Sequence, residues 1–383
     1  MSPMQLPANS DGEYTRVTAL CSGFLTACVL ALSLLFDPFG VSPVHVDVPG
    51  VNTPRVERKQ LDRLIKPFDV INRKPKTVLI GTSRVKEGFD PDDWRDTRFW
   101  PVYNLGIDFS SPTESLAVLE SLLPLVPEIE TAIIEINFIH FYRPGPVRVA
   151  STPWQLAENL PDAFFSHSML AAALSTYVQS SAYDGAYFWL HEDGQAEVVK
   201  GEISGDIANF LKHVVSPKSR SPLPDRLDKQ TALFNEIDAL CERFKVECLY
   251  AFFPYQPLDL THMARAGHWP ELEASKKFFA DRNGAFDFTL YNRFTDEAYK
   301  SKMSYWYDVN HFTPEVGRHI AQAMNGTPLP DTPENFGVLV TPENLDRVLS
   351  DWTSGREAWI EANPDYTSQI ENALGPARPD NGS

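Results

Sequence analysis

The chain has few cysteines and histidines, four and nine in 383 residues, and none of their spacings is that of a zinc site. It has no Gly-x-Gly-x-x-Gly and no Gly-Lys-Ser/Thr, so neither a dinucleotide fingerprint nor a P-loop is present. Positive charge is also short. Lys and Arg number 34 against 51 Asp and Glu, a formal net charge of −17. A surface so acidic repels phosphate backbones, which excludes nucleic acid as a main partner. There is no internal repeat. Glycine (20) is outnumbered by proline (31), which points to rigid loops and frequent helix starts. Against these shortages, 43% of residues are hydrophobic and 12% aromatic, enough for a large core and too many for a disordered chain.

Long uncharged apolar sequence occurs at one place, Val17 to Phe36. A helix of that length spans roughly 30 Å, the thickness of a bilayer's hydrocarbon core. Arg16 precedes it and the next basic residue is Arg55, so the positive-inside rule puts residues 1–16 in the cytoplasm and the body outside. A cleaved signal peptide is the alternative. However, no A-x-A-like site follows the run, and Leu25-Thr26-Ala27-Cys28, which looks like a lipoprotein box, is followed by more apolar sequence. An uncleaved anchor over 17–36 is the expectation, and each version exports the body. Cys21 and Cys28 lie inside the run. Cys241 and Cys248 lie on a helix end and the strand after it, where they read as two buried thiols able to pair only in an oxidising compartment.

Beyond the anchor, residues 37–75 are Pro-rich and mixed, and read as a tether. Short buried-strand signals follow at Thr77–Ile80 (stopping at Gly81), Val102–Leu105 (stopping at Gly106), Ala132–Ile136 and Cys248–Phe253. Between them lie helix signals. Ser111-Pro112-Thr113-Glu114 is a capping box with proline at the first helical position, opening a helix to about Leu123. An amphipathic helix covers 226–244. Thr313-Pro314-Glu315, Thr332-Pro333-Glu334 and Thr341-Pro342-Glu343 are three further starts. Strand and helix in alternation predict an α/β fold, a parallel sheet with helices on both faces. The segment 146–225 lacks clear strands and is rich in aromatics (Trp154, Phe164, Phe165, Tyr177, Tyr183, Tyr187, Trp189), and reads as a helical insertion. Residues 327–383 read as a helical extension with a disordered tail from about Gly375.

In open parallel sheets ligands bind beyond the carboxyl ends of the strands. Those ends carry Gly81-Thr82-Ser83-Arg84, Asn104-Leu105-Gly106 and Glu135-Ile136-Asn137, and far downstream Asp308-Val309-Asn310-His311 precedes the Thr313 helix start. A serine hydroxyl needs a base within hydrogen-bond reach. His311 fits that role, and Asp308 fits the group that fixes its tautomer. The N–H groups of Ser83 and Gly106 and the Asn137 amide are candidate oxyanion donors. Gly106 suits the approach of a carbonyl because it has no Cβ. Arg84 beside the nucleophile could bind an anionic sugar or pair with Glu135. His140 and Tyr142, after Asn137, are further candidates for substrate contact, with packing as the alternative. Asp90 and Asp108 read as solvated loop carboxylates, and His319 has no partner visible in the sequence.

Gly81-Thr82-Ser83, then Gly106, Asn137 and Asp308-x-x-His311, resembles the four-block pattern of the SGNH (GDSL-like) hydrolase superfamily. It is most similar to the membrane-anchored branch related to alginate O-acetylation proteins, where Gly-Thr-Ser replaces Gly-Asp-Ser. The third block departs from the family's Gly-x-Asn-Asp, with Glu135-Ile136-Asn137-Phe138 matching only at Asn137. The resemblance covers about 77–325. It implies a flavodoxin-like domain over 76–326, with Ser83 as nucleophile, His311 as base, Asp308 as its orienter, and Ser83, Gly106 and Asn137 around the oxyanion. It also implies O-acyl esterase or acyltransferase chemistry on an acetylated polysaccharide, without metal or organic cofactor. The site would face the periplasm or cell exterior from a single-pass anchor in a bacterial cytoplasmic membrane. A transferase would need an acyl-donor membrane protein as partner. The competing expectation is a non-catalytic binding or scaffold subunit of a polysaccharide synthesis or export machine on the same fold.

Overall fold

The computed structural model describes residues 10–38, 48–52, 62–138, 141, 149, 167–181, 188–191, 193–198, 210–212, 215, 218, 227–299 and 303–375. Helix α1 (Ser10–Phe36) leads to α2 (Asp62–Arg73), β1 (Thr77–Gly81), α3 (Ser83–Gly88), β2 (Val102–Gly106), α4 (Pro112–Leu122) and β3 (Thr131–Glu135). Then come α5 (His167–Ser181), the strands β4 (Phe188–Leu190) and β5 (Ala196–Val198), α6 (Leu227–Phe244), β6 (Glu247–Phe252), α7 (Pro257–Ala266) and α8 (Trp269–Ala280). The chain closes with β7 (Ala285–Asp287), α9 (Pro314–Met324), β8 (Val338–Val340), α10 (Leu345–Ala362) and α11 (Pro364–Leu374).

The protein is α/β. Its main sheet has six strands in the order β2-β1-β3-β6-β7-β8, parallel except for β8, which runs antiparallel to β7. β1, β2 and β3 are short, wholly buried runs rich in Val, Ile and Leu, as strands covered on both faces should be. Their register sets Gly81 beside Gly106 and Ile80 beside Ile134, so three carboxyl ends finish at one level. One face is covered by Leu119, Phe234, Ile237, Phe279 and Trp352, from α4, α6, α8 and α10. The other is covered by Phe89, Trp94, Phe253, Phe312 and Ile320, a cluster centred on α3 and α9. Burying one such phenylalanine is worth roughly 1.5–3 kcal/mol.

The helices expected at 111–123, 226–244 and 313–324 are present, the first capped by Ser111 Oγ, which accepts from the Glu114 N–H at 3.3 Å. Several expectations need correction. The supposed tether contains α2, whose Ile65, Lys66, Phe68 and Val70 are buried against the body. The insertion contains a β-hairpin, β4–β5, as well as α5. Thr332-Pro333 starts a turn, closed by Phe336 N–H to Pro333 O at 3.0 Å, and no helix. The Thr341 signal also makes a turn first, and α10 begins at Leu345. The extension after 327 is part of the sheet and core, through β8 and the fully buried Trp352. Cys241 and Cys248 are joined in a disulfide, because the tight turn from α6 into β6 brings their Cα atoms to 6.2 Å. Among the described residues α1 is the one helix long and apolar enough to cross a membrane, and it starts at Ser10, seven residues before the uncharged run.

Candidate active site

Thr82 breaks out of β1 in an extended conformation and caps α3, its Oγ1 accepting from the Arg84 N–H at 3.3 Å. This turn puts Ser83 at the first position of α3, beyond the carboxyl end of β1. The histidine arrives on another element. Asp308 Oδ1 accepts the N–H groups of Asn310 (2.7 Å) and His311 (2.8 Å), folding residues 308–311 into a tight turn. The same carboxylate holds the imidazole, with Nδ1 at 2.8 Å from Oδ2 and 3.0 Å from Oδ1. Nε2 is then directed at Ser83 Oγ, 2.8 Å away across 228 residues of chain. A hydroxyl, an imidazole and a carboxylate therefore stand in one hydrogen-bonded line, the geometry of an activated serine nucleophile.

Electrostatics suit this arrangement. Burial of the ring works against a proton on His311, but the Asp308 carboxylate outweighs it and holds the imidazole above its ordinary value. Burial likewise pushes the Asp308 carboxyl up, and His311 with the two backbone N–H donors brings it below the usual carboxylate range. Asp308 thus stays ionised when His311 takes a proton. Glu87, one turn along α3 from Ser83, is buried, and desolvation raises its carboxyl.

Two glycines bring these elements together. A Cβ on Gly317, in the first turn of α9, would lie 2.0 Å from the carbonyl oxygen of Gly88, at the end of α3. A Cβ on Gly88 would lie 2.2 Å from the Phe312 ring. The helix carrying Ser83 and the helix following His311 therefore meet with no side chain between them. Phe312, next to His311, is fully buried and edge-on to Phe89 at 5.3 Å, which anchors the histidine turn from below.

Arg84 and Glu135 do not face a substrate. Both are buried and paired at 3.3 Å. Glu135 Oε2 accepts the Thr82 N–H at 2.7 Å. Arg84 donates to the carbonyls of Asn310 (3.1 Å) and Pro254 and stacks over Tyr255 at 3.9 Å. With each guanidinium nitrogen of Arg84 bonded inside the protein, the pair ties the Ser83 turn to the chain just before His311. Gly106 is also occupied. Its N–H donates to Asn104 Oδ1 at 3.0 Å, and a Cβ there would lie 2.3 Å from the backbone nitrogen of Lys86. It is small so that α3 can lie on β2, and its N–H is not available to an oxyanion. The Ser83 N–H has no partner among the described residues, as expected at a helix start. Asn137 lies just past β3, the strand beside β1. His140 and Tyr142 fall outside the described residues, as do Trp154, Phe164, Phe165, Tyr183 and Tyr187.

Other positioning residues were not anticipated. Asn104 Nδ2 donates to the carbonyls of Val85 and Phe89, both at 2.8 Å, and so closes the end of α3. Lys66, fully buried, donates to the carbonyls of Asn104 (3.0 Å), Gly106 (2.6 Å) and Gly194 (2.6 Å), and burial pulls its ammonium down to about 7. Lys86 pairs with Asp62 (2.9 Å) and Asp108 (2.6 Å), so Asp108 is not a free loop carboxylate. Asp90 accepts the Asp92 N–H at 2.8 Å, and His319 meets Thr332 Oγ1 at 2.6 Å. Only an expectation of partners for the charges of 62–69 could have found the Lys66 and Lys86 networks in the sequence.

Comparison of the chain with family models, curated proteins and solved structures gives no match.

Proposed function

We propose that this chain is an exported, membrane-anchored serine acyl-transfer enzyme of SGNH type, an esterase or acyltransferase acting on O-acyl, chiefly acetyl, groups of an envelope or secreted polysaccharide. The observation that carries the reading is the 2.8 Å approach of Ser83 Oγ to His311 Nε2 with Asp308 on the far side of the ring. Three others support it. Counting the parallel strands along the chain, their order is 2-1-3-4-5, the flavodoxin-like arrangement, with the serine at the switch between β1 and its neighbours. The Cys241–Cys248 disulfide suits an oxidising compartment outside the cytoplasm. The long apolar α1 suits a signal anchor, and Arg16 before it supports a body outside the cytoplasm.

In this mechanism Ser83 Oγ attacks the ester carbonyl as His311 Nε2 removes its proton. The C–O bond to the sugar breaks, and the leaving alkoxide takes that proton from His311. Water or a second hydroxyl, deprotonated by His311, then attacks the acyl-Ser83 ester, and His311 returns that proton to Ser83 Oγ as the acyl–Oγ bond breaks. The Ser83 N–H, with Asn137 at the adjacent strand end, serves the developing oxyanion. Losing one such donor costs typically ~10²–10³ in rate. Esterase and transferase differ only in the acceptor, and a transferase would receive its acyl group from a membrane-protein partner.

The test is fluorophosphonate labelling of the full chain together with p-nitrophenyl acetate hydrolysis and acetate release from an O-acetylated polysaccharide. Labelling at Ser83 should vanish in Ser83→Ala, and turnover should vanish in both Ser83→Ala and His311→Ala with the fold intact. A folded wild-type chain that takes no label would favour the scaffold reading instead.

A further inference from the structure

Helix α5 has no charged residue along its length, His167 to Ser181. Met169, Ala172, Ala173 and Thr176 form its buried side. The opposite side is also apolar, with Leu170 39%, Leu174 65%, Tyr177 47% and Val178 53% exposed. At 100° per residue these four, with the exposed Ala171, fill one continuous stripe of roughly 120°. A helix apolar on both sides and covered on one is not a surface helix made for water.

The neighbours of α5 indicate what covers it. Its buried side packs on α2 and on the end of α1, in a cluster that joins Met169, Ala172 and Ala173 to Ile65, Phe68, Val29 and Phe36. Ser33 Oγ meets Met169 Sδ at 3.3 Å, and the Phe36 and Tyr177 rings meet edge-on at 6.1 Å. These contacts put α5 against the last two turns of α1. Leu30, Leu34 and Leu35, in the same last turns of α1, are exposed as well. At about 22 Å, α5 is too short to span a bilayer.

We propose that α5 is a second membrane contact, an interfacial helix whose Leu170–Leu174–Tyr177–Val178 face lies in the acyl region of the outer leaflet. This rests on the reading of α1 as the anchor. The occupant is lipid, because α5 packs on the anchor helix and the described side chains of its exposed stripe, Leu170, Ala171, Leu174, Tyr177 and Val178, carry no charge. Tyr177, beside the last residue of α1, sits where amphipathic rings mark the membrane boundary. Together with the packing of α2, this seats the body on the membrane surface.

The experiment uses the full chain with Cys21→Ala and Cys28→Ala, in phosphatidylcholine nanodiscs. A nitroxide is placed in turn at Leu174→Cys, Val178→Cys, Phe24→Cys on α1, and Leu339→Cys on the far sheet edge. Collision with oxygen over a nickel chelate should be several-fold higher at 174 and 178 than at 339, and comparable with 24. Nickel access at 174 and 178 equal to that at 339, with 24 still in lipid, overturns this proposal alone. Nickel access at 24 as well overturns the anchor reading with it. An immobilised label at 174 and 178 that neither reagent reaches means a protein covers the stripe, and also overturns it.

Discussion

Gly317→Ala tests whether the α3–α9 contact sets the distance between nucleophile and base. Two effects oppose each other. In a helix interior alanine is favoured over glycine by about 0.8–1.0 kcal/mol, so without close contact the variant would be more stable. Against this, the new Cβ would lie 2.0 Å from Gly88 O and 3.1 Å from Gly88 C, atoms of a backbone held in place by Asn104 and Glu135. An ordinary contact needs over an ångström more, and overpacking of this kind costs about 1–3 kcal/mol. The clash should at least offset the propensity gain, for a net loss of about 0–2 kcal/mol in urea unfolding. Because Ser83 and His311 ride on the separated elements, their 2.8 Å hydrogen bond should stretch. An ångström of misplacement can cost on the order of 10²-fold in rate, so the second-order rate of fluorophosphonate labelling should fall by that order while the variant remains folded. A variant more stable than wild type, or one labelled at the wild-type rate, would refute the argument that helix approach fixes the pair.

Asp308→Asn removes the charge that raises the His311 pKa. The base acts as neutral imidazole, so wild-type activity should rise with pH through a midpoint above the ordinary imidazole value. In the variant that midpoint should move to lower pH while kcat drops by roughly 10³–10⁴; a pH–rate profile with an unmoved acid limb would count against it. Glu135→Ala leaves Arg84 buried without its carboxylate and should lose about 3–5 kcal/mol in urea unfolding. Glu135→Gln should lose less, since an amide oxygen can still accept the Thr82 N–H. Lys66→Met strands three buried carbonyls, and at about 1–3 kcal/mol per unsatisfied group it should lower stability by at least about 3 kcal/mol. It should also open the 191–196 turn to limited proteolysis, and unchanged stability and cleavage would show that the three bonds do not hold the hairpin.

Four strands of the main sheet are legible in the sequence because each is a short apolar run stopped by a glycine, a polar residue or, after Phe253, by Pro254. β7 and β8 have three residues apiece, too few for a period to register, and β8 joins by the rarer antiparallel route. Helix α2 is hidden for a different reason. Its Asp62, Lys66 and Asp69 look like a solvated face and carry Pro67 among them, yet all are buried by partners 24 to 128 residues away in the chain. At the site, Asp308 and His311 are legible because one turn relates them. Arg84 and Glu135, 51 residues apart, are each compatible with a ligand until the fold closes on them. Gly106 shows the ambiguity of an absent side chain, which serves an incoming carbonyl and a packed helix equally well, and only Lys86 N, 2.3 Å from the missing Cβ, separates the two.

The ions buried near Ser83 have a feature in common. Glu135 binds the Thr82 N–H, Arg84 the carbonyls of Asn310 and Pro254, and Lys66 the carbonyls of Asn104 and Gly106. Each reaches a main-chain atom at or just before the point where a strand or loop delivers its residue to the rim. As sources of stability these pairs are weak, since well-packed apolar residues of the same volume often do as well or better. An apolar contact, however, tolerates sliding and rotation, whereas a hydrogen bond from a charged group loses strength steeply with angle. Replacing these ions by aliphatic side chains would keep the strands together and let the loops drift. The rate of an acyl transfer depends on positions held to a fraction of an ångström. The charged interior beneath Ser83 is thus better explained by the demands of the serine–histidine geometry than by those of the fold.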